Sequence, residues 1–255
     1  MPARIPMTAK QREALLALPM TEEEVIAHHS LDENERAAIA RLRSPANQLG
    51  YALQLCCLRF PGRYLRRGEL LPAIMLDHVA EQIDVDADVI ADFAKRGPTR
   101  YEQLASIKRN HGFVDLTHPV RAELKQWLEA EALSCTDGRL LLERLIARMR
   151  ERKIIIPGVS VIERLTASAM HAADAKVASE ILAQLNTEQK AKLNAVLDDK
   201  THAQQSRLSW LREPPIRVGA RGLFELLDKI DYIRRLGIGE LALPDYLKLR
   251  LSQLA

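Results

Sequence analysis

Residues 44–62 read SPANQLGYALQLCCLRFPG, and this stretch decides the fold. Ser44 followed by Pro45 is a helix start: a hydroxyl to cap the first free N–H groups, then a proline whose fixed φ suits the first helical position. Pro61-Gly62 is a stop, because proline cannot continue the ladder and glycine turns freely. Between them Leu49, Ala52, Leu53, Cys56 and Phe60 fall on one stripe at helical spacing. Tyr51, Leu55 and Leu58 cover another side. A helix apolar on two sides belongs in the middle of a bundle, with other helices around it.

Working outward, helix signals repeat along the 255 residues. Thr8 can cap a helix carrying Leu15, Leu16 and Leu18, closed by Pro19. Thr21 with Glu24, and Ser160 with Glu163, have the spacing of capping boxes. Pro72 opens a helix to Ile83, and Asp86–Lys95 reads as a short one. Thr99–Asn110, His118–Leu133 and Arg139–Lys153 follow. Asn186-Thr187 opens a helix to about Asp199. Gly222–Arg235 reads as helical, and Pro244 opens a last helix. No stretch alternates apolar and polar residues long enough to argue a sheet. Aromatics are 4% of the chain, so the core is aliphatic. The expected class is all-α and multi-helical. The softest boundaries are Gly112–Pro119, Pro157-Gly158 and Glu213–Gly219, and the first and last divide it into 1–115, 116–214 and 215–255.

Enzyme readings fail in turn. Asp84, Asp86 and Asp88 imitate the start of a calcium loop, but Val89 stands where the turn needs glycine and Lys95 where it needs glutamate. Gly237-Ile238-Gly239 with Ala242 follows a helix, not the strand a dinucleotide fingerprint requires. There is no Walker A loop. His28 and His29 are adjacent, so on a helix they point about 100° apart and make no joint ligand pair. Cys56, Cys57 and Cys135 suit neither a zinc spacing nor a disulfide framework and read as reduced, buried small residues of a cytoplasmic protein. The chain offers no catalytic residues, no metal site and no cofactor motif. No apolar run approaches the roughly 20 residues that cross a bilayer, and no secretory leader is visible.

Charge distribution says more than the net +3. From Arg36 to Gly68 there are seven arginines and no acidic residue: Arg36, Arg41, Arg43, Arg59, Arg63, Arg66 and Arg67. Guanidinium groups near helix ends and turns suit phosphate oxygens, which their planar fork grips bidentately. A second feature is a helix-turn-helix pattern: Arg139–Lys153, the apolar turn Ile154–Gly158, then a helix from Ser160. On that helix Ile162, Leu165 and Ala169 share one face, and Ser160, Arg164, Ala167 and His171 share the opposite one. An apolar side turned inward with a small, polar and basic side outward is what insertion into a DNA groove requires.

The run from Asn47 to Arg63 resembles the signature near the N-terminus of Tn3-family transposases. Similar stretches follow in the family's order: Phe93–Arg96 with Thr99-Arg100, Gly112-Phe113, Ile154–Gly158 with Glu163-Arg164-Leu165, Ser209–Arg212, and Asp228–Gly237. Gln48 departs from the pattern, where a basic residue is expected. The resemblance implies an N-terminal helical region that binds the double-stranded DNA of transposon terminal inverted repeats. It also implies that the magnesium-binding carboxylates lie far downstream in an RNase H-like domain, so this chain is the front portion of a longer protein and no acidic residue here is catalytic. Residues 1–115 and 116–214 are then tandem DNA-binding modules, and 215–255 begins a region leading to dimerisation, with self-association expected in the full-length protein. The alternative is a helical protein–protein interaction module that binds no nucleic acid.

Overall fold

The computed structural model describes residues 5, 7–93, 97–198, 206–215 and 219–254. Of the residues named above, Ala94, Lys95, Arg96 and Asp199 lie outside the described ones. Among the described residues the chain is all-α. The helices are α1 (Ala9–Ala14), α2 (Glu22–His29), α3 (Glu33–Ala40), α4 (Pro45–Arg59), α5 (Ala73–Gln82), α6 (Gly97–His111), α7 (His118–Ser134), α8 (Gly138–Glu151), α9 (Val159–Gln184), α10 (Thr187–Asp198), α11 (Arg207–Arg212), α12 (Ala220–Leu236) and α13 (Asp245–Leu254). Two compact units form, Met1–His171 and Ala172–Ala255, with the division falling inside α9.

In the first unit α4 is central, as its two apolar sides require. Leu49 through Leu58 are all buried, and α2, α3, α5, α6 and the 3-10 turn Ala87–Asp92 pack around them. The Ser44 hydroxyl accepts from the Asn47 N–H. Gln48 donates its side-chain amide to the carbonyls of Ala40 and Leu42, so this departure from the family pattern splices the α3–α4 turn. Gly50 lets the Phe93 ring lie directly on α4: a Cβ there would stand 2.1 Å from the ring. His29 is buried and donates from Nε2 to the Phe60 carbonyl at 2.9 Å. Burial holds its pKa below the usual histidine range, so it is a neutral core residue. His28 stacks on the Phe60 ring instead.

Several helix bounds differ from those expected. Thr8 caps α1 with a reciprocal Gln11 contact, yet α1 stops at Ala14; Leu16 lies in the turn that follows and Leu18 beyond it, both buried. Thr21 caps α2, but the Glu24 carboxylate reaches back to the Met20 N–H. Asp32 and Glu35 form a capping box at α3 that the sequence reading passed over. Residues 87–92 form a 3-10 turn, not an α-helix.

Ile154–Ile156 forms an extended strip that joins both sides of residue 115. Val114 donates to the Lys153 carbonyl and accepts from Ile155 at 2.9 Å, and the Ile156 N–H donates to the Gly62 carbonyl at 2.8 Å. All three isoleucines are buried. Arg150 lies over the Phe60 ring at 4.4 Å and donates to the Pro61 carbonyl. α7 packs on α8 through Leu124, Leu128 and Ala132 opposite the Leu141–Met149 stripe.

Candidate nucleic-acid interface

The seven arginines of the acid-free run divide by partner. Arg59 is half-buried, bonded to the Ser30 carbonyl at 3.0 Å and to the buried Glu35 carboxylate. His111 lies 3.6 Å from the same carboxylate. Its pKa is lowered by burial and then by the nearby Arg59 charge. Arg63 is 6% exposed. Its guanidinium grips Glu69 with both ends (2.9 and 2.5 Å) and donates to the carbonyls of Leu16 and Tyr64. Burial works against the Glu69 charge, but the Arg63 and Arg66 N–H donors outweigh it and hold this carboxyl below its ordinary pKa. Arg59 and Arg63 are therefore engaged within the fold, each guanidinium satisfied by a carboxylate of the same unit.

Arg36, Arg41, Arg43, Arg66 and Arg67 are exposed, and among the described residues no hydrogen bond or ion pair engages their side chains, though the Arg66 charge acts on Glu69. They sit on α3, at the α3–α4 turn and in the loop after α4. Exposed guanidinium groups held near helix ends keep their donors available to solvent or phosphate.

The candidate recognition helix is α9. Its sequence-assigned inner face is correct: Ile162, Leu165 and Ala169 are buried. Of the outer face, Ser160, Arg164 and His171 are exposed, but Ala167 is 8% exposed and belongs to the interior. The Ser160–Glu163 capping box does not form. α9 begins one residue earlier, at Val159, with Ile162 N–H on the Gly158 carbonyl. Glu163 is buried and takes a two-pronged ion pair from Arg12. Among the described residues Arg164 donates only to the Ser160 carbonyl of its own helix, at 3.2 Å.

These two features meet. A groove of about 550 Å³ is walled by Arg12, Leu18, Arg63, Arg66, Leu70 and Ser160. The loop after α4 and the first turn of α9 thus open on one space. Arg66 is its exposed cation, and the Arg12–Glu163 and Arg63–Glu69 pairs brace its walls. The remaining basic residues of α8 and its turn are mostly engaged: Arg139 with Glu143, Arg144 with Glu131, Arg148 with Glu151, and Arg152 with Glu123. Among the described residues no group of three or more His, Cys, Asp or Glu is placed to hold a metal ion. No helix among them is long and apolar enough to cross a membrane.

Fold and surface together define an all-helical protein with exposed arginines, one of which, Arg66, lines a groove. Residues 7–169 match the family described as a domain of unknown function, DUF4158, which spans almost the whole first unit. The chain belongs to that family. Its relatives are transposases of the Tn3 type, as the resemblance implied. It is 30% identical over 230 residues to the transposase for transposon Tn21 of Escherichia coli, covering 90% of this chain and 23% of that protein. It is 30% identical over 253 residues to the transposase for transposon Tn2501 of Escherichia coli, covering 99% and 25%. It is 26% identical to the transposase for transposon Tn1546 of Enterococcus faecium, covering 98% and 25%. The chain spans about a quarter of the length of these relatives.

Proposed function

We propose that this chain binds double-stranded DNA sequence-specifically, at transposon terminal inverted repeats, as the N-terminal part of a Tn3-type transposase. The observation that carries the reading is the shared groove: Arg66 from the loop and Ser160 from α9 line it together, and Arg164 stands exposed one turn along. Arg36, Arg41, Arg43, Arg66 and Arg67 hold phosphates and set the register, while Arg164, flanked by Ser160 and His171, reads base edges. The α8–turn–α9 segment acts as the helix-turn-helix, and both features work as one binding unit within Met1–His171. In this reading strand cleavage and joining belong to the rest of the full-length protein, and the chain needs no cofactor.

The test is a titration against terminal-repeat duplex, roughly three to four turns at about 10.5 bp per turn, beside scrambled duplex over a range of salt. Five phosphate-bound arginines give a slope of log affinity against log salt of roughly −4 to −5, at about −0.9 per contact. A slope near zero, or equal affinity for both duplexes at every salt, refutes the reading.

A second reading applies to the second unit. Leu223, Leu226, Leu227, Ile230 and Ile233 recur at helical spacing along α12, and all are exposed. The adjoining edge of α12 is seated through Gly222, Lys229 and Leu236. A continuous apolar helix face favours a protein contact there, and self-association through α12 is the reading it supports. Sedimentation velocity of the chain beside Leu226→Glu tests it: a concentration-dependent dimer that the substitution abolishes supports it, and a monomer throughout refutes it.

A further inference from the structure

A second cleft lies in the first unit, on the far side of the same loop. Its volume is about 480 Å³, within the range of sites that enclose small ligands, about 300–1,000 Å³. One wall is the loop, through Tyr64 and Arg67. The other is a single stripe of α6, with Tyr101, Leu104, Ala105 and Lys108 at i, i+3, i+4 and i+7, and Arg100 beside them.

The cleft is basic, and its charge is not cancelled from within. Arg67 has no partner among the described residues. Arg100 is pinned by donating to the Leu65 carbonyl, which satisfies one donor and leaves its positive charge uncompensated. Lys108 is held by Asp115 at 2.7 Å, and the same carboxylate accepts the Tyr64 hydroxyl, tying the two walls together. Three cations therefore face one carboxylate. At the rim Tyr101 is 75% exposed, an aromatic ring left in water beside two guanidinium groups.

Cations interleaved with an exposed aromatic are the composition of a nucleotide platform: charge for the phosphate, a π-face for the base. Paired bases in a duplex show only their edges in the grooves, so the ring can be used only by a base that has left the stack. We infer that this cleft receives one unpaired nucleotide of the bound DNA, its phosphate on Arg67 and Arg100 and its base stacked on Tyr101. The inference rests on the DNA-binding reading above and adds to it a site for locally opened DNA.

The experiment compares three duplexes of one sequence: fully paired, carrying a single-nucleotide bulge, and carrying the same bulge without its base. The expected result is that the chain binds the bulged duplex about tenfold more tightly than the paired one, and that the abasic bulge loses this preference. Tyr101→Ala should abolish the preference while leaving paired-duplex affinity and the helical circular dichroism unchanged, and Tyr101→Phe should restore it. Arg67→Ala should weaken all three duplexes. Equal affinity for all three duplexes, or a bulge preference that survives Tyr101→Ala, overturns the inference even where duplex binding stands. Loss of binding to all three overturns both readings, and binding to the bulged duplex alone overturns only the first.

Discussion

Removing the Arg63 side chain should unfold rather than unbind. Arg63→Ala takes four donors from a site where the guanidinium is 8% exposed and Glu69 16% exposed as side chains. The carbonyls of Leu16 and Tyr64 lose their Arg63 donors, and the Glu69 carboxylate keeps the Arg66 backbone N–H at 2.9 Å and the nearby Arg66 charge. Breaking a buried ion pair from one side costs about 3–5 kcal/mol, because the abandoned charge remains desolvated. For a unit of this size that lowers the midpoint of thermal unfolding by roughly 6–20 °C, at about 2–4 °C per kcal/mol. The comparison is Arg66→Ala, three residues on, exposed and with no side-chain hydrogen bond or ion pair among the described residues: it should leave the midpoint within about 2 °C and weaken DNA binding. Both variants would be followed by thermal melts and by duplex titration. The pH dependence has a definite sign. Glu69 is depressed in the folded protein, so its stabilisation is complete above the unfolded glutamate pKa of about 4.3 and is lost as pH falls through the folded value. Glu69→Gln should therefore be less stable than the natural chain at pH 7, with the difference shrinking below about pH 4. An Arg63→Ala midpoint equal to that of Arg66→Ala would refute this division of labour.

Three further outcomes follow from the packing. Gly50→Ala drives a methyl into the Phe93 ring and should cost about 1–3 kcal/mol by overpacking, despite alanine's better helix propensity; urea unfolding measures it, and a stabilised variant would contradict the contact. Arg164→Ala should leave stability unchanged and reduce the preference for terminal-repeat over scrambled duplex about tenfold or more, whereas the buried Leu165→Ala should cost roughly 2–5 kcal/mol; an intact preference removes Arg164 from base reading. Burial pushes the Cys57 thiol up to about 12, and Cys56 upward as well, so thiol reagents at pH 8 should modify these two only as the unit unfolds; fast labelling of the native chain would contradict their placement.

What the sequence disclosed was local chemistry. Ser44, Pro45 and Thr8 act on N–H groups within one turn, so their reading needs no knowledge of the rest of the chain. The two apolar sides of α4 placed it at the centre for the same reason. What it concealed were partners that arrive through space. The run was acid-free from Arg36 to Gly68, yet Arg63 is neutralised by Glu69, one residue beyond it, and Arg59 by Glu35, one residue before it. Glu163 has capping-box spacing from Ser160, but Arg12, 151 residues away, binds it more strongly than a backbone N–H could. Ala167 is small enough to read as either face. The helix Thr99–Asn110 was read, but the wall that faces its Tyr101, Leu104, Ala105 and Lys108 comes from a loop more than 30 residues earlier.

The buried strip Ile154–Ile156 also sets a clock on synthesis. When residue 115 has just been added, the Gly62 and Val114 carbonyls still await donors not yet made. The 41 residues from there to Ile156 need roughly 2–8 s at about 5–20 residues per second. For those seconds the apolar ground around Phe113, which the strip later covers, stands open on the nascent chain. The front of the protein waits for its lining, and a chaperone that bound there would be competing with three isoleucines.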